Sequence, residues 1–410
     1  MSLWRDRDFL KLWTGQTISE IGSRISREGV PLTAVMMLHA SPLTMGTLAA
    51  LGGLATLLIA PLAGLAADRY RLRPILIAAD LGRALVIALI PIAAYYGHLK
   101  LSILYVVVAL TGILSVFFDV SYQSVTPSLV DKDRILEANS KLALSASTAE
   151  AIGPALSGSL IQFLTAPIAM ALDAASFLVS AVSLAMIRKP ELHKAPVERA
   201  PTFDELTAGF RFVFSHRILR PIALRAATTS FFWGFYAALY VLYCVDDLKF
   251  SPIVLGLVVT VGGFSSLIGS SLIPTLTRRF QPGTILIGAT LVQGFSNLLI
   301  PFAPGPGLTA ILCMAGAQFL GDVSFPVYNV QELTLRQSLA PEDVLGRVNG
   351  TMQMLLRGII PIGALAGGAL AQYMGVRRTI LASALGVLAA SLWLIFSPVR
   401  KLTRETVQTW

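Results

Sequence analysis

The sequence predicts an all-helical protein threaded through a lipid bilayer about twelve times, and three observations predict it. Of the 410 residues, 55% are hydrophobic and 13% carry a formal charge, whereas a soluble domain carries about 25% charged residues. Apolar stretches of the roughly 20 residues needed to cross the hydrocarbon core recur along the whole chain. The basic residues collect in alternate connections between those stretches.

Candidate spans are residues 11–38, 43–66, 74–96, 101–123, 137–164, 167–187, 218–245, 252–276, 283–302, 308–331, 345–374 and 376–397. With the N-terminus in the cytoplasm, the inside segments hold 22 of the 32 Lys and Arg and the outside loops hold four, Lys100, Lys249, Arg377 and Arg378. That asymmetry predicts both termini on the cytoplasmic side of a cell inner membrane. The net charge of +9 then belongs beside anionic headgroups, and nucleic acid is excluded as a partner. Met1 to Lys11 mixes Arg5, Asp6, Arg7 and Asp8 without a small-residue cleavage site, so the first span is expected to be retained.

Span 1 places Gln16, Ser19, Glu20, Ser23, Arg24 and Arg27 at helical spacing on one face. Such a face looks into a wet interior or onto partner helices, because a charge at a helix centre costs about 2.5–3.5 kcal/mol on insertion scales. Glu20–Arg24 and Arg24–Glu28 are i, i+4 pairs able to offset one another. Between spans 2 and 3 stands Gly64-Leu-Ala-Ala-Asp68-Arg69-Tyr-Arg71-Leu-Arg73-Pro74. Here Gly64 permits close helix packing, Asp68 is placed to accept from a neighbouring helix N-terminus, and the arginines anchor the inside surface. Asp80 and Arg83 in span 3, like Asp173 in span 6, read as helix-end anchors.

Span 4 carries Ser115, Asp119, Tyr122 and Gln123, and span 10 carries Gln318, Asp322 and Asn329, again as polar stripes. In span 5, Gly153-Pro154 and Gly158 combine a missing backbone donor with small packing residues. Glu150 in span 5 and Arg357 in span 11 are candidates to pair. The connector at 188–217 is charged, contains Pro190, Pro196 and Pro201, and includes an amphipathic segment from Phe203 to Phe214. Span 7 presents Trp233, Tyr236, Tyr240 and Tyr243 as an aromatic stripe, which suits packing or a cavity wall for large, partly aromatic or cationic molecules.

The two sides of that connector repeat. Ile75-Leu76-Ile77 returns as Ile285-Leu286-Ile287, and Asn139, Gly158 and Leu160 return as Asn349, Gly368 and Leu370, all at an offset of 210. Asp119-Val120-Ser121 matches Asp322-Val323-Ser324 at 203. The expected organisation is a six-helix bundle at 1–187, the linker at 188–217, and a second six-helix bundle with a short tail at 218–410. Duplicated bundles with a midplane site suit an alternating-access carrier.

The Gly64–Pro74 loop resembles the signature loop of the major facilitator superfamily. Leu12-Trp13-Thr14-Gly15-Gln16, Asp80–Ala84, Asp119–Val130, Glu137-Ala138-Asn139 and Gly153–Gly158 are similar to segments of its efflux branch, which includes macrolide exporters, the enterobactin exporter and drug:proton antiporters. Arg71 stands where the signature has a second glycine, and Ala149 and Ser157 stand where the antiporter motif often has glycine. The resemblance implies the major facilitator fold, with spans 1, 4, 7 and 10 around the cavity and the Gly64–Arg73 loop as a conformational gate. It implies a monomer that exports a small amphipathic molecule in exchange for protons. Glu20, Asp119, Asp322 and Glu150 are then the proton-coupling candidates. Gln16, Arg24, Arg27, Gln123, Trp233, Tyr236, Tyr240, Gln318 and Asn329 are the cavity candidates. A lysophospholipid flippase, a small-solute importer, and a non-transporting scaffold or receptor are the competing readings.

No phosphate-cradling Gly-Lys-Ser/Thr loop, no metal-ligand spacing among the four histidines and no Ser/His/Asp cluster occurs in the sequence. Neither an enzyme nor a bound cofactor or metal is expected. Cys244 and Cys313 lie in apolar runs and imply no disulfide.

Overall fold

A computed structural model describes residues 3–130, 134–189 and 203–403. Pro190, His193, Pro196 and Pro201 of the connector lie outside them. The described residues form helices without a strand. In order these are α1 (Arg7–Met36), α2 (Pro42–Arg69), α3 (Leu72–Tyr95), α4 (Leu101–Leu129), α5 (Ile135–Leu164) and α6 (Ala166–Ala185). After the connector come α7 (Phe203–Ser215), α8 (Leu219–Leu242), α9 (Pro252–Arg279), α10 (Pro282–Leu299) and α11 (Leu308–Leu339). The last are α12 (Glu342–Gln353), α13 (Ile360–Met374), α14 (Val376–Ala389) and α15 (Ser391–Ile395).

Among the described residues, nine helical segments are long and apolar enough to cross a membrane, three of them composite: α8 with its π-helical extension, α12 joined to α13 through a π-helical turn at Met354–Gly358, and α14 continued by α15. The helices α1, α5 and α10 fall outside that set, which is consistent with the expected twelve without reaching it. Their hydropathy is lowered by in-helix polar groups such as Glu20 and Arg24, Glu137 and Glu150, and Gln293 and Asn297. Leu58, Leu85, Phe163, Phe295 and Phe396 are more than half exposed, as expected where lipid replaces water as the solvent.

Several helices outrun their predicted spans. The helix α11 continues past residue 331 to Leu339, where Glu332 and Arg336 form an i, i+4 pair at 3.6 Å. The amphipathic segment of the connector is helical as α7, and Gly209 brings it against α12: a Cβ added there would lie 2.6 Å from the Thr351 hydroxyl. After α7, His216 Nδ1 accepts from the backbone N–H groups of Ile218 and Leu219 at 3.2 and 3.3 Å, capping the start of α8. Burial lowers the pKa of His216 from its ordinary value, which keeps Nδ1 free to accept.

The described chain divides into two compact units. The first contains residues 1–40, 51–198 and 250–260, and the second contains 41–50, 199–249 and 261–410. The opening turns of α2 and α9 thus each pack with the opposite unit from the rest of their helix. In the first unit, Gly158 of α5 and Gly256 of α9 face each other, with a Cβ at Gly158 falling 3.2 Å from Gly256 Cα. In the second unit, Gly46 of α2 and Gly368 of α13 do the same, a Cβ at Gly368 falling 3.0 Å from Gly46 Cα. Both pairs obey the 210-residue offset, since 46 maps to 256 and 158 to 368.

Within the first unit, α1 packs on α6 through three glycines spaced seven residues apart. A Cβ at Gly15 would meet Ser183 at 2.8 Å, one at Gly22 would meet Ser176, and one at Gly29 would meet Met170 at 3.0 Å. The chain following α6 is clamped by three side chains. Lys11 Nζ donates to the Met186 carbonyl at 2.7 Å, and Asp8 accepts from Lys11 and from the N–H groups of Arg188 and Lys189. Arg73 donates to the Ile187 carbonyl at 2.8 Å and to that of Lys189. Burial opposes the Asp8 carboxylate, but those donors outweigh it and hold its pKa below the usual value.

Candidate functional site

In the first unit the polar face of α1 is built as its periodicity requires. Gln16 Nε2 donates to Glu20 at 3.1 Å, and Glu20 feels the charges of Arg24, Asp119 and Glu150. Arg24 does not complete a ladder with Glu20 and Glu28. It reaches across to α5 and forms a bidentate pair with Glu150, one arm at 2.7 Å. Glu150 therefore pairs within this unit, not with Arg357. The geometry follows from Gly153, where a Cβ would lie 2.6 Å from Arg24 Cγ, so only glycine leaves room for the arginine stem. Arg27, Asp119 and Gln123 are exposed; Tyr122 of α4 stacks on Phe118 at 5.8 Å.

Pro154 and Gly158 form the seam with α9 described above. Beside that seam the Ala155 N–H donates to Thr260 Oγ1 at 3.0 Å. In the signature loop, Asp68, Arg69 and Arg71 are exposed, and Asp68 makes no hydrogen bond or ion pair with the described residues. A Cβ at Gly64 would meet nothing within 4 Å. Within the first unit neither Gly64 nor Asp68 makes such a contact, and the anchor is Arg73.

In the second unit the aromatic stripe of α8 is a continuous stack. The rings of Trp233 and Tyr236 lie 4.8 Å apart and those of Tyr236 and Tyr240 4.7 Å apart. The Tyr236 hydroxyl donates to Gln318 Oε1 of α11 at 3.3 Å. One turn further, the Asp322 carboxylate lies against Gly262 of α9, where a Cβ would collide with it. Trp233, Gln318, Asp322 and Asn329 are all partly exposed, whereas Tyr236 and Tyr240 are buried.

Two buried charge clusters lie outside the polar stripes that periodicity marks. Asp80 and Asp173 are fully buried and Arg83 is 5% exposed; all three lie within the body of their helices, so they are not helix-end anchors. Arg83 pairs with Asp80, and its guanidinium sits 4.2 Å from the centroids of both Phe118 and Phe177. In the second unit, Arg225 of α8 lies 3.6 Å from the Tyr328 centroid and donates to Gln293 at 3.0 Å. Phe118 and Tyr328, like Arg83 and Gln293, are 210 residues apart. The offset of 203 that matched Asp119 to Asp322 therefore does not describe these helices, and Asp119 corresponds instead to Asn329. The available signal was the i, i+3 spacing of Asp80 and Arg83 inside an apolar run, where a charge needs a partner.

A family model described as transmembrane secretion effector matches residues 1–409. A Bacillus subtilis (strain 168) protein named as the MFS-type transporter YfiS is 27% identical over 379 residues, covering 92% of this chain and 89% of the relative. The multidrug efflux pump Tap of Mycolicibacterium fortuitum is 26% identical over 364 residues, covering 86% and 87%. Among solved structures, a point mutant of the nucleoside transporter NupG superposes with a TM-score of 0.80 at 9% identity, covering 95% and 99%. At that identity the likeness concerns the fold alone.

Proposed function

The chain belongs to the transmembrane secretion effector family of the major facilitator superfamily, and from that premise we propose that it exports a small amphipathic compound in exchange for protons. It is a multi-pass membrane transporter and not an enzyme. Export is favoured by the efflux activity named for Tap. The orientation with both termini in the cytoplasm, and location in a bacterial inner membrane, rest on the distribution of basic residues. The bundles at 1–187 and 218–410 act as the two moving halves of a monomer that works by alternating access.

The observation that carries the exchange reading is the half-buried Glu20, held by Gln16 and within electrostatic reach of Arg24, Asp119 and Glu150. Loading a proton there removes a charge that is costly at membrane depth, and so biases one conformation over another. Trp233 and Gln318, partly exposed with the buried Tyr236 and Tyr240 packed behind them, offer a flat apolar face and a hydrogen-bonding edge to the compound. The test is ethidium transport driven by an imposed pH gradient in proteoliposomes. Glu20→Gln and Asp119→Asn are expected to lower it at least tenfold; if both variants matched the parent, neither residue would be the proton carrier.

A further inference from the structure

We propose that Asp173, together with Asp80 and Arg83, forms a second proton-binding site inside the first unit, occupied by one proton in the conformation seen here. The proposal rests on the reading of the chain as a proton-exchanging carrier, and it extends that reading to residues buried on the other side of α1.

The argument begins with a charge count. Asp80, Arg83 and Asp173 are at least 95% buried, and with all three ionised the cluster carries one uncompensated negative charge. An unpaired carboxylate in a dry interior is among the least stable arrangements a protein can hold, and the usual resolution is neutralisation.

The geometry decides which carboxyl takes the proton. Arg83 is fixed between the Phe118 and Phe177 rings and pairs with Asp80 one turn away on its own helix. Its guanidinium already touches α6 at Phe177, yet its ion pair is with Asp80 and not with Asp173. Asp80 therefore keeps the cation, with the Ser180 hydroxyl as a further partner. Asp173 is left with one hydroxyl: Ser176 Oγ donates to its Oδ1 at 3.1 Å, while the Ser26 hydroxyl of α1, although nearby, makes no hydrogen bond. The groups facing Asp173 are Asp80 and Arg83 from α3, Ser176 from α6, and Ser26 with the Gly22 backbone from α1.

A second, independent sign is that Asp173 Oδ2 is completely buried and accepts no hydrogen bond. Asp80 Oδ2 is bare as well, but its carboxylate has Arg83 to balance the charge. For Asp173, an oxygen in that position is tolerable as part of a neutral acid and poorly tolerable as half of a carboxylate.

The step is a simple proton balance. One proton from water adds to one carboxylate oxygen of Asp173, and the cluster passes from minus one to neutral. Release returns the proton to water. Gly22 sits directly over Asp173, where a Cβ would lie 2.8 Å from Oδ1. Ionisation thus places a charge in the tight α1–α6 seam, where it is solvated only if the seam loosens to admit water. Proton release is thereby tied to the position of α1, whose other face carries Gln16, Glu20 and Arg24.

Infrared spectroscopy of the full-length protein in lipid nanodiscs tests this directly. At pH 5 the parent should show a protonated-carboxyl stretch that Asp173→Asn abolishes and that Glu20→Gln leaves in place. Asp173→Glu should shift the band, which keeps the test valid should the Asn variant misfold. A spectrum in which neither substitution alters a protonated-carboxyl band overturns the site. The band reports occupancy without requiring flux. Proton-driven ethidium transport with no such band would therefore sink this site alone, whereas the band without proton-driven transport would sink the exchange reading and leave the site standing.

Discussion

Gly158 of α5 and Gly256 of α9 each occupy the place where the other's helix brings a backbone carbonyl, Pro252 O above Gly158 and Pro154 O above Gly256. The contact is reciprocal, and Gly46 and Gly368 repeat it against Ala364 O and Pro42 O. Small residues of this kind let helix backbones approach in lipid, where packing and weak backbone contacts replace the hydrophobic drive.

Gly158→Val and Gly256→Val should each destabilise the protein by about 1–3 kcal/mol through overpacking. Gly64→Val, although it alters the signature loop, should stay within about 0.5 kcal/mol, because that position faces open space. Thermal unfolding in detergent distinguishes the three; a Gly64 variant as damaged as the other two would contradict the packing described.

The Arg24–Glu150 pair is sheltered at one end and open at the other, with side-chain exposures of 14% and 60%. Solvent screening limits its coupling energy to about 1 kcal/mol or less. Arg24→Glu should therefore depress ethidium transport far more than it depresses the melting temperature, and adding Glu150→Arg should restore part of that transport. A double variant no better than the single one would show that the pairing is incidental.

Removing Arg83 leaves two buried carboxyls with no cation. Arg83→Leu should cost about 3–5 kcal/mol, the typical penalty for breaking a buried pair. Phe177→Leu, which removes one face of the cation–π sandwich, should cost about 2 kcal/mol for that term before packing losses. The comparison is read from unfolding midpoints, and the reverse ranking would refute the assignment of Arg83 as the centre of the cluster.

His216 should make the cap of α8 sensitive to pH. Its pKa in the fold is lowered by burial, so the cap is fully formed above the ordinary histidine pKa and is lost as pH falls through the lower folded value. Asn at this position caps without titrating, at a difference of about 1 kcal/mol or less near neutrality. The stability of the parent relative to His216→Asn should decline on acidification below about pH 6, since the ordinary histidine value is about 6.5; parallel pH profiles would rule the mechanism out.

The fold was legible because hydropathy and charge asymmetry act over whole helices, so errors at single residues average out. The α1 polar face and the α8 aromatic stack were legible for the same reason, each being a one-helix periodicity. What escaped were relations between helices. Arg24 had equally spaced acids on its own helix, and nothing in a one-dimensional pattern favoured Glu150 over Glu20 or Glu28. Asp173 is separated from its partners Asp80 and Arg83 by two intervening helices, α4 and α5. The three glycines Gly15, Gly22 and Gly29 mark the face of α1 turned toward α6, but glycine has no side chain to signal burial, and the charges on the adjacent face dominate the pattern.

Arg83 also constrains the order in which the protein is made. The third helix leaves the ribosome with a guanidinium at its centre, Phe118 arrives with the fourth helix, and Phe177 only with the sixth. Until then that cation has one ring and one carboxylate against a membrane that disfavours it. The nascent third helix is accordingly expected to linger beside the insertion machinery until its last partner has been synthesised, so a truncation after the fifth helix would yield a product prone to degradation.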